Sequence, residues 1–346
     1  METLTDILLS DAGITVIKAM IVYFGVLMTV PVMVYVERRG AALIQDRLGP
    51  NRVGPFGLIQ PFADMVKLMF KEEFTPFKAN RLLYLVAPAM ALIPAGMTFA
   101  VIPFGSEITV GGVTIPLRAA DLNVGVLYIF ALTSLGVYGI MMAGWSSNNK
   151  YSLMGGLRSS AQMISYELSM TLAAVGVIMA TGSLRLGDIV EAQTPLWFCV
   201  PLVIGFVVFL VSSFAETNRL PFDMPEAENE LVGGYHTEYS SMRFASFFMA
   251  EYINMAVAAS LTVTLFLGGY RFPFQHLVGD PTLLGVLQVV AFVAKVAFMM
   301  WLFVWIRWTL PRFRYDQLMK LGWKVLFPLA LLNVFVTGLL ILLGWI

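Results

Sequence analysis

Apolar residues recur along the chain in eight blocks, each long enough for a helix crossing a hydrocarbon core at about 20 residues per span. The blocks run from Thr15 to Val36, Leu82 to Pro103, Val124 to Trp145, Ser160 to Thr181, Leu196 to Ala215, Phe244 to Gly268, Leu283 to Ile306 and Lys324 to Trp345. The stretch from Leu58 to Glu73 has a different pattern. Ile59, Phe62, Val66 and Met69 fall on one helical face and Asp64, Lys67 and Lys71 on another. That arrangement suits an amphipathic helix lying at the interface or against a partner. From Glu107 to Ala120 the sequence has the alternation and Gly-Gly turn of a small hairpin, although a plain extracellular cap is the preferred reading. The opening METLTDILLSDAG lacks the basic start and cleavage site of a secretory signal and reads as a short amphipathic lead into the first span. The expected fold is an all-α polytopic membrane protein, a single domain over residues 1–346, with about eight transmembrane helices, one interfacial helix and large loops on the cytoplasmic side. No internal repeat or low-complexity segment interrupts it.

Composition agrees: 58% of residues are hydrophobic and 13% charged, which excludes an ordinary soluble globule. The net charge is zero, so there is no nucleic-acid footprint. The chain has one cysteine, Cys199, two histidines, His236 and His276, and no paired-cysteine motif. It offers no convincing site for haem, an iron–sulfur cluster or structural zinc. Electrons for any redox chemistry must come from elsewhere.

Loop charges set the expected orientation. Seventeen lysines and arginines fall on one side of the spans, eight of them in the first loop from Arg38 to Arg81. Lys18, Arg118, Arg185 and Arg271 fall on the other side, with Lys295 inside a span. The crowded side is expected to face the cytoplasm and both termini to face outward. Trp145, Trp301, Trp305, Trp308 and Trp323 then cluster near the inner boundary as anchors.

The same side carries the candidate chemistry. The stretch from Phe214 to Arg243, FAETNRLPFDMPEAENELVGGYHTEYSSMR, holds Glu216, Asp223, Glu226, Glu228, Glu230 and Glu238 against two arginines. Pro221, Pro225 and the Gly233-Gly234 pair divide it, and Phe222, Tyr235 and Tyr239 sit among its acids. A solvated acidic loop is the plain reading. Aromatic residues among acids, wedged between two spans, favour a functional one. Glu37, Glu167, Glu216 and Glu251 lie within or at the inner ends of spans, where an unpaired charge costs several kcal/mol. Glu167 and Glu251, each about two turns inside, are positioned to join Glu216, Glu228 and Glu230 in a water-linked row suited to proton relay; static pairing is the rival. In the first inner loop, Glu37, Arg38 and Arg39 end a helix, and Gln45-Asp46-Arg47 meets two Gly-Pro turns around Arg52. Arg and Gln there can bond the carbonyl oxygens of a lipid-soluble ligand, with Phe56, Phe62 and Met65 beside its ring; docking of a soluble partner is equally compatible. The third inner loop, GWSSNNKYSLMGGLRSSAQMISYEL, is polar and Gly-rich. The fourth, WIRWTLPRFRYDQLMKLGWK, reads mainly as a basic–aromatic anchor.

Four stretches together, ERRGAALIQDRLGPNRVGPFGLIQPFAD, GWSSNNKYSLMGGLRSSAQMISYE, AETNRLPFDMPEAENELVGGYHTEY and RWTLPRFRYDQLM, resemble the family of heel subunits of respiratory complex I, the NADH-quinone oxidoreductase, whose mitochondrial equivalent is subunit 1. The resemblance covers essentially the whole chain. It implies a subunit that joins membrane and peripheral arms, forms the quinone entrance and chamber wall, and catalyses nothing alone. By resemblance, Glu37 and Arg38 match a charged pair near the quinone tunnel, Asp64 and Lys67 the interfacial helix, and Arg219 and Arg307 the chamber lining. Gln45, Phe62, Met65 and Phe222 complete the expected quinone-binding set. Glu167, Glu216, Asp223, Glu226, Glu228, Glu230 and Glu251 match an acidic path for proton relay or coupling. Quinone is the implied substrate, and FMN and iron–sulfur clusters are expected in partner subunits. Expected partners are the peripheral-arm quinone-site and terminal-cluster subunits, small membrane-arm subunits, antiporter-like subunits and lipid. A bacterial inner membrane is expected rather than a mitochondrial one. A membrane anchor of an energy-converting hydrogenase and a secondary transporter are the alternatives. The Gln45–Asp64 stretch disfavours the first, and four elaborate loops on one face disfavour the second.

Overall fold

The computed structural model describes residues 11–110, 113–194, 196–224, 228–273 and 275–345. Seven of its helices are long and apolar enough to cross a membrane, and one more is apolar but shorter. In chain order the helices are α1 (Asp11–Ile44), α2 (Gln60–Met69), α3 (Arg81–Met97), α4 (Gly125–Ser146), α5 (Lys150–Thr181), α6 (Leu186–Ala192) and α7 (Val203–Glu216). They continue with α8 (Glu228–Leu231), α9 (Ser241–Phe266), α10 (Pro281–Thr309), α11 (Tyr315–Leu321) and α12 (Phe327–Leu342). α9 is the most enclosed span, while α1, α10 and α12 form the periphery. Small residues allow the closest crossings: a Cβ added at Gly139 on α4 would sit 2.8 Å from the Ala91 backbone nitrogen of α3. In lipid, where apolar surface gains little from leaving the solvent, such backbone approach supplies much of the packing energy.

Several boundaries differ from the sequence expectation. α1 does not stop near Val36 but continues to Ile44, so Glu37, Arg38 and Arg39 lie within a helix rather than at its end. The third inner loop is largely absent: α5 begins at Lys150, its first turn capped by the Asn149 side chain, which accepts from the Tyr151 N–H. Its Gly and Ser content serves packing, because Gly155 lies against Gly234 and Tyr235, and Ser160 and Ser165 bond back to carbonyls four residues earlier. Glu167 is therefore near the middle of a 32-residue helix. The fifth block forms a true helix only from Val203, preceded by hydrogen-bonded turns through Trp197 and Phe198. The final block is reached by unbroken helix from Tyr315, which passes through one π turn at Gly322–Leu326. The stretch Glu107–Ala120 does form a hairpin, β1 (Glu107–Val110) antiparallel to β2 (Val113–Pro116), with Ile108 opposite Ile115. It rests on the start of α10, where Thr282 donates to the Thr109 carbonyl and Gln288 accepts from Ser106.

Candidate functional site

Four helices and the turn after α7 meet around a buried group of charges. Arg219, just beyond α7, is 3% exposed and donates through Nη1 to both oxygens of Glu37 on α1, at 2.9 and 3.1 Å. Its Nε lies 2.5 Å from Glu251 Oε1 on α9. That ion pair engages Nε, while Nη2 is buried without a hydrogen bond. Arg307 on α10 bonds the other side of Glu37, and its own Nε is buried and unpaired. Tyr252 donates to Glu37 Oε2 at 2.6 Å, and its ring lies 4.3 Å beneath the Arg219 guanidinium. Two arginines and two carboxylates thus balance one another. Burial pulls the Arg219 pKa down, but Glu251 and Glu37 beside it raise it well above its ordinary value, so this arginine is a fixed cation. Beside the cluster, Arg312 holds Asp223 at 2.7 Å.

From Glu251 the carboxylates continue towards α5. Glu251 and Glu216 line one cavity of about 30 Å³ with Asn218, Tyr235 and Asn254, enough for about two waters. Glu216 ends α7 beside Thr133, within electrostatic reach of Glu167. Glu167 accepts a short hydrogen bond from Ser134 on α4. Glu37, Arg219, Glu251, Glu216 and Glu167 therefore form one row across α1, α7, α9 and α5.

A second pair joins α1 to the interfacial helix: Arg38 lies 2.5 Å from Asp64, which also accepts from Gln60 at 3.0 Å. Phe62 and Met65 on α2 are about half exposed. The far end of that helix is fastened to α9: Ser241 donates to the Leu68 carbonyl, and Arg243 pairs with Glu73 and donates to Thr75. Tyr84 and Tyr239 stack at 4.1 Å, and Tyr84 donates to the Glu238 carbonyl, holding the acidic loop against α3. His236 in that loop is half-buried, and the desolvation lowers its pKa to about 4 and keeps it neutral.

Other expected site residues stand apart. Gln45 is exposed beyond α1 and accepts from Arg47. Phe222 is buried between Tyr166 and Phe313, so it packs the turn from behind. Glu230 is exposed and pairs with Arg158 at 2.6 Å. Glu226 lies outside the described residues; Glu228 opens α8, and its side chain lies outside them too. Sequence reasoning missed Tyr252, Arg312 as the partner of Asp223, and Gln162. The fully buried Gln162 amide donates to the Ala215 and Phe222 carbonyls and so fixes the turn that carries Arg219. A glutamine inside an apolar helix was the signal for it. Lys295 is also explained. Its ammonium donates to the carbonyls of Leu267, Gly269 and Arg271 at 2.7, 3.0 and 2.5 Å, closing the end of α9. Gly268 and Gly269, both at positive φ, turn those carbonyls inward. Among the described residues no group of His, Cys, Asp and Glu gathers that could hold a metal ion.

Comparison with known proteins gives the family. Residues 17–338 match the family described as NADH dehydrogenase. The chain is 53% identical over 333 residues to an H subunit of the NADH-quinone oxidoreductase of Geobacter metallireducens, covering 96% of this chain and 98% of that one. The chain belongs to the family of NADH-quinone oxidoreductase H subunits. It is also 52% identical to an H subunit from Cytophaga hutchinsonii, over 89% of this chain and 91% of the relative, and 52% identical to NADH-quinone oxidoreductase subunit 8 of Rhodothermus marinus, over 94% and 96%. Membership of this family makes the chain a multi-pass membrane subunit of an oxidoreductase complex, so the transporter and hydrogenase-anchor alternatives give way.

Proposed function

We propose that the cluster of Glu37, Arg219, Arg307 and Glu251 forms the charged wall of a quinone chamber, and that Glu216 and Glu167 carry its response into the membrane. The observation that carries this reading is a pair of buried guanidinium nitrogens, Arg219 Nη2 and Arg307 Nε, that remain without hydrogen bonds beside a balanced group of charges. Such donors can bond a carbonyl or phenolate oxygen. A negative charge arriving there draws on the same two cations that now hold Glu37 and Glu251, and both carboxylates then favour taking up a proton. Glu251 shares its cavity with Glu216, so the change reaches Glu167 without either carboxylate moving far. The Arg38–Asp64 pair, with Phe62 and Met65 beside it, suits the entrance; Gln45, Asp223 and the acidic-loop residues Glu226, Glu228 and Glu230 border the partner side. Electrons arrive from FMN and iron–sulfur clusters held by peripheral-arm subunits, in keeping with the single cysteine of this chain. Antiporter-like membrane subunits receive the coupling. The host is a bacterial inner membrane, with the loop-rich face towards the cytoplasm.

In assembled complexes, Arg38→Ala should impair quinone reduction while electron transfer from NADH to a soluble artificial acceptor stays nearly intact. Glu251→Gln and Glu167→Gln should lower quinone-linked turnover and proton translocation together, by about a hundredfold, the lower end for a lost proton-transfer group, with partial recovery in the Asp variants. Wild-type turnover in both Gln variants would remove the row from the mechanism. Equal loss of both electron-transfer activities in the Arg38 variant would remove the entrance.

A further inference from the structure

At the membrane face opposite the large loops, where α9 ends, α10 begins and the turns before α7 run, there is an open cavity of about 450 Å³. Its lining is a cation-and-aromatic set: Arg271, His276, Trp197 and Phe272, with Thr194 and Gln275. Among its described lining residues there is no carboxylate. Arg271 is held in place from two sides. Its Nη1 bonds the Thr194 hydroxyl, and its carbonyl accepts from Lys295. The Arg271 Nε and the Gln275 Oε1 are nonetheless buried without hydrogen-bond partners. Beneath the cavity floor the Lys295 ammonium lies 4.4 Å from the Trp197 ring, adding a second positive charge whose hydrogen bonds go to backbone carbonyls. Below the opening, Leu196, Val200, Val203 and Val207 are all at least half exposed and recur at spacings of four, three and four residues. They form one apolar stripe running from the cavity into the depth of the membrane.

We propose that this cavity is a binding site for an anionic glycerophospholipid of the leaflet opposite the large loops. The phosphate sits on the Arg271 guanidinium, whose Nε has no acceptor among the described residues. Gln275 Oε1, an acceptor in want of a donor, takes a headgroup hydroxyl, which favours phosphatidylglycerol over a choline lipid. Trp197 and Phe272 lie at the level of the glycerol backbone, as interfacial aromatic residues do. One acyl chain follows the stripe along α7. The bound lipid also occupies the joint between α7, α9 and α10, where Lys295 already ties the end of one span to the side of another.

The test uses the assembled complex in vesicles of phosphatidylcholine containing a trace of photoactivatable phosphatidylglycerol, with cross-links mapped by peptide mass. Labelling is expected on the stretches 194–200 and 268–276. Excess phosphatidylglycerol should compete it away; excess phosphatidylcholine or inorganic phosphate should not. Arg271→Gln should reduce labelling there by about tenfold, the effect of one lost charge-assisted contact, while labels elsewhere in the complex persist. Arg271→Lys, which keeps the charge but loses the fork, should retain part of it. Competition by phosphate would make this a site for a free anion, and equal competition by phosphatidylcholine an unspecific lipid surface. Absence of labelling in a fully assembled complex would mean that a neighbouring subunit covers the cavity. Unchanged labelling in Arg271→Gln would remove the arginine from recognition. Each of these four results overturns the proposal.

Discussion

Two cationic sites on opposite faces of the bundle, one buried and one half-buried, solve the same electrostatic problem in different ways. Lys295 is satisfied by three backbone carbonyls at the end of α9, and nothing ionisable takes part in the bonding. Arg219 is paired with two carboxylates on separate helices, while its Nη2 lacks a hydrogen-bond partner. Backbone dipoles cannot change charge, so the first arrangement is a fastening. Carboxylates can, so the second is the arrangement able to answer an added charge with a change of protonation, as proposed above. The difference shows how to tell a structural buried charge from a responsive one: by whether its partners can themselves titrate.

The largest expected effect comes from separating those partners. Arg219→Met leaves Glu37 and Glu251 buried without their shared cation, at a cost of about 3–5 kcal/mol for a broken buried pair. Assembled complex should be scarce. The double variant Glu37→Gln with Arg219→Met should recover much of that yield while leaving quinone turnover low, because the charge imbalance is relieved but the guanidinium is gone. A double variant as unstable as the single one would show that packing of Arg219 against Tyr252, rather than pairing, holds the site.

At the other site the effect should be smaller and of another kind. Lys295→Met removes three hydrogen bonds to carbonyls and should lower thermal stability by about 1–3 kcal/mol, the cost of leaving buried polar groups unpaired. Quinone turnover per assembled complex should stay unchanged. A fall in turnover at normal stability would place Lys295 with the responsive charges and erase the distinction.

The smallest effect should come from His236, a half-buried base with yet another environment. Its folded pKa of about 4 lies below its ordinary value of 6.5, because burial disfavours the charged ring. The unfolded loop therefore binds more protons between those values. Stability from the neutral ring is complete above the unfolded value and drains away as pH falls towards the folded one. Proteolytic cutting of the 228–240 stretch should rise as pH is lowered from about 7.5 to about 5, and His236→Phe should flatten that rise. An equally steep profile in the variant would assign the acid sensitivity to the surrounding carboxylates.

Much of this was legible in the residues alone. Eight apolar blocks appear as eight helical segments because the bilayer leaves the backbone no alternative to internal hydrogen bonding. Glu37 and Glu251 were recognisable as ionisable groups within or at the ends of spans, Arg219 and Arg307 only by family resemblance, and the structure brings the four together. The boundaries were less legible. Gly155, Gly156 and the serines around them read as a loop because local composition cannot reveal that small residues permit close packing against Gly144 and Gly234. The pairing of Asp223 with Arg312, 89 residues away, and the support of the Arg219 turn by Gln162 are tertiary facts with no local pattern. Glu37 was placed at a helix end because the charges Glu37-Arg38-Arg39 interrupt the hydropathy pattern; in the fold they carry the helix onward, since each finds a partner on its side of α1.

The brevity of α7 has its own consequence. Its 14 residues extend about 21 Å at 1.5 Å per residue, against roughly 30 Å for the hydrocarbon core. The helix runs out before the membrane does. Glu216 is therefore a terminal residue and an interior one at once, seated at the depth where α5, more than twice as long, is only at its midpoint. What would be a surface carboxylate on a full-length span instead lines an internal cavity of about 30 Å³, which it shares with Glu251.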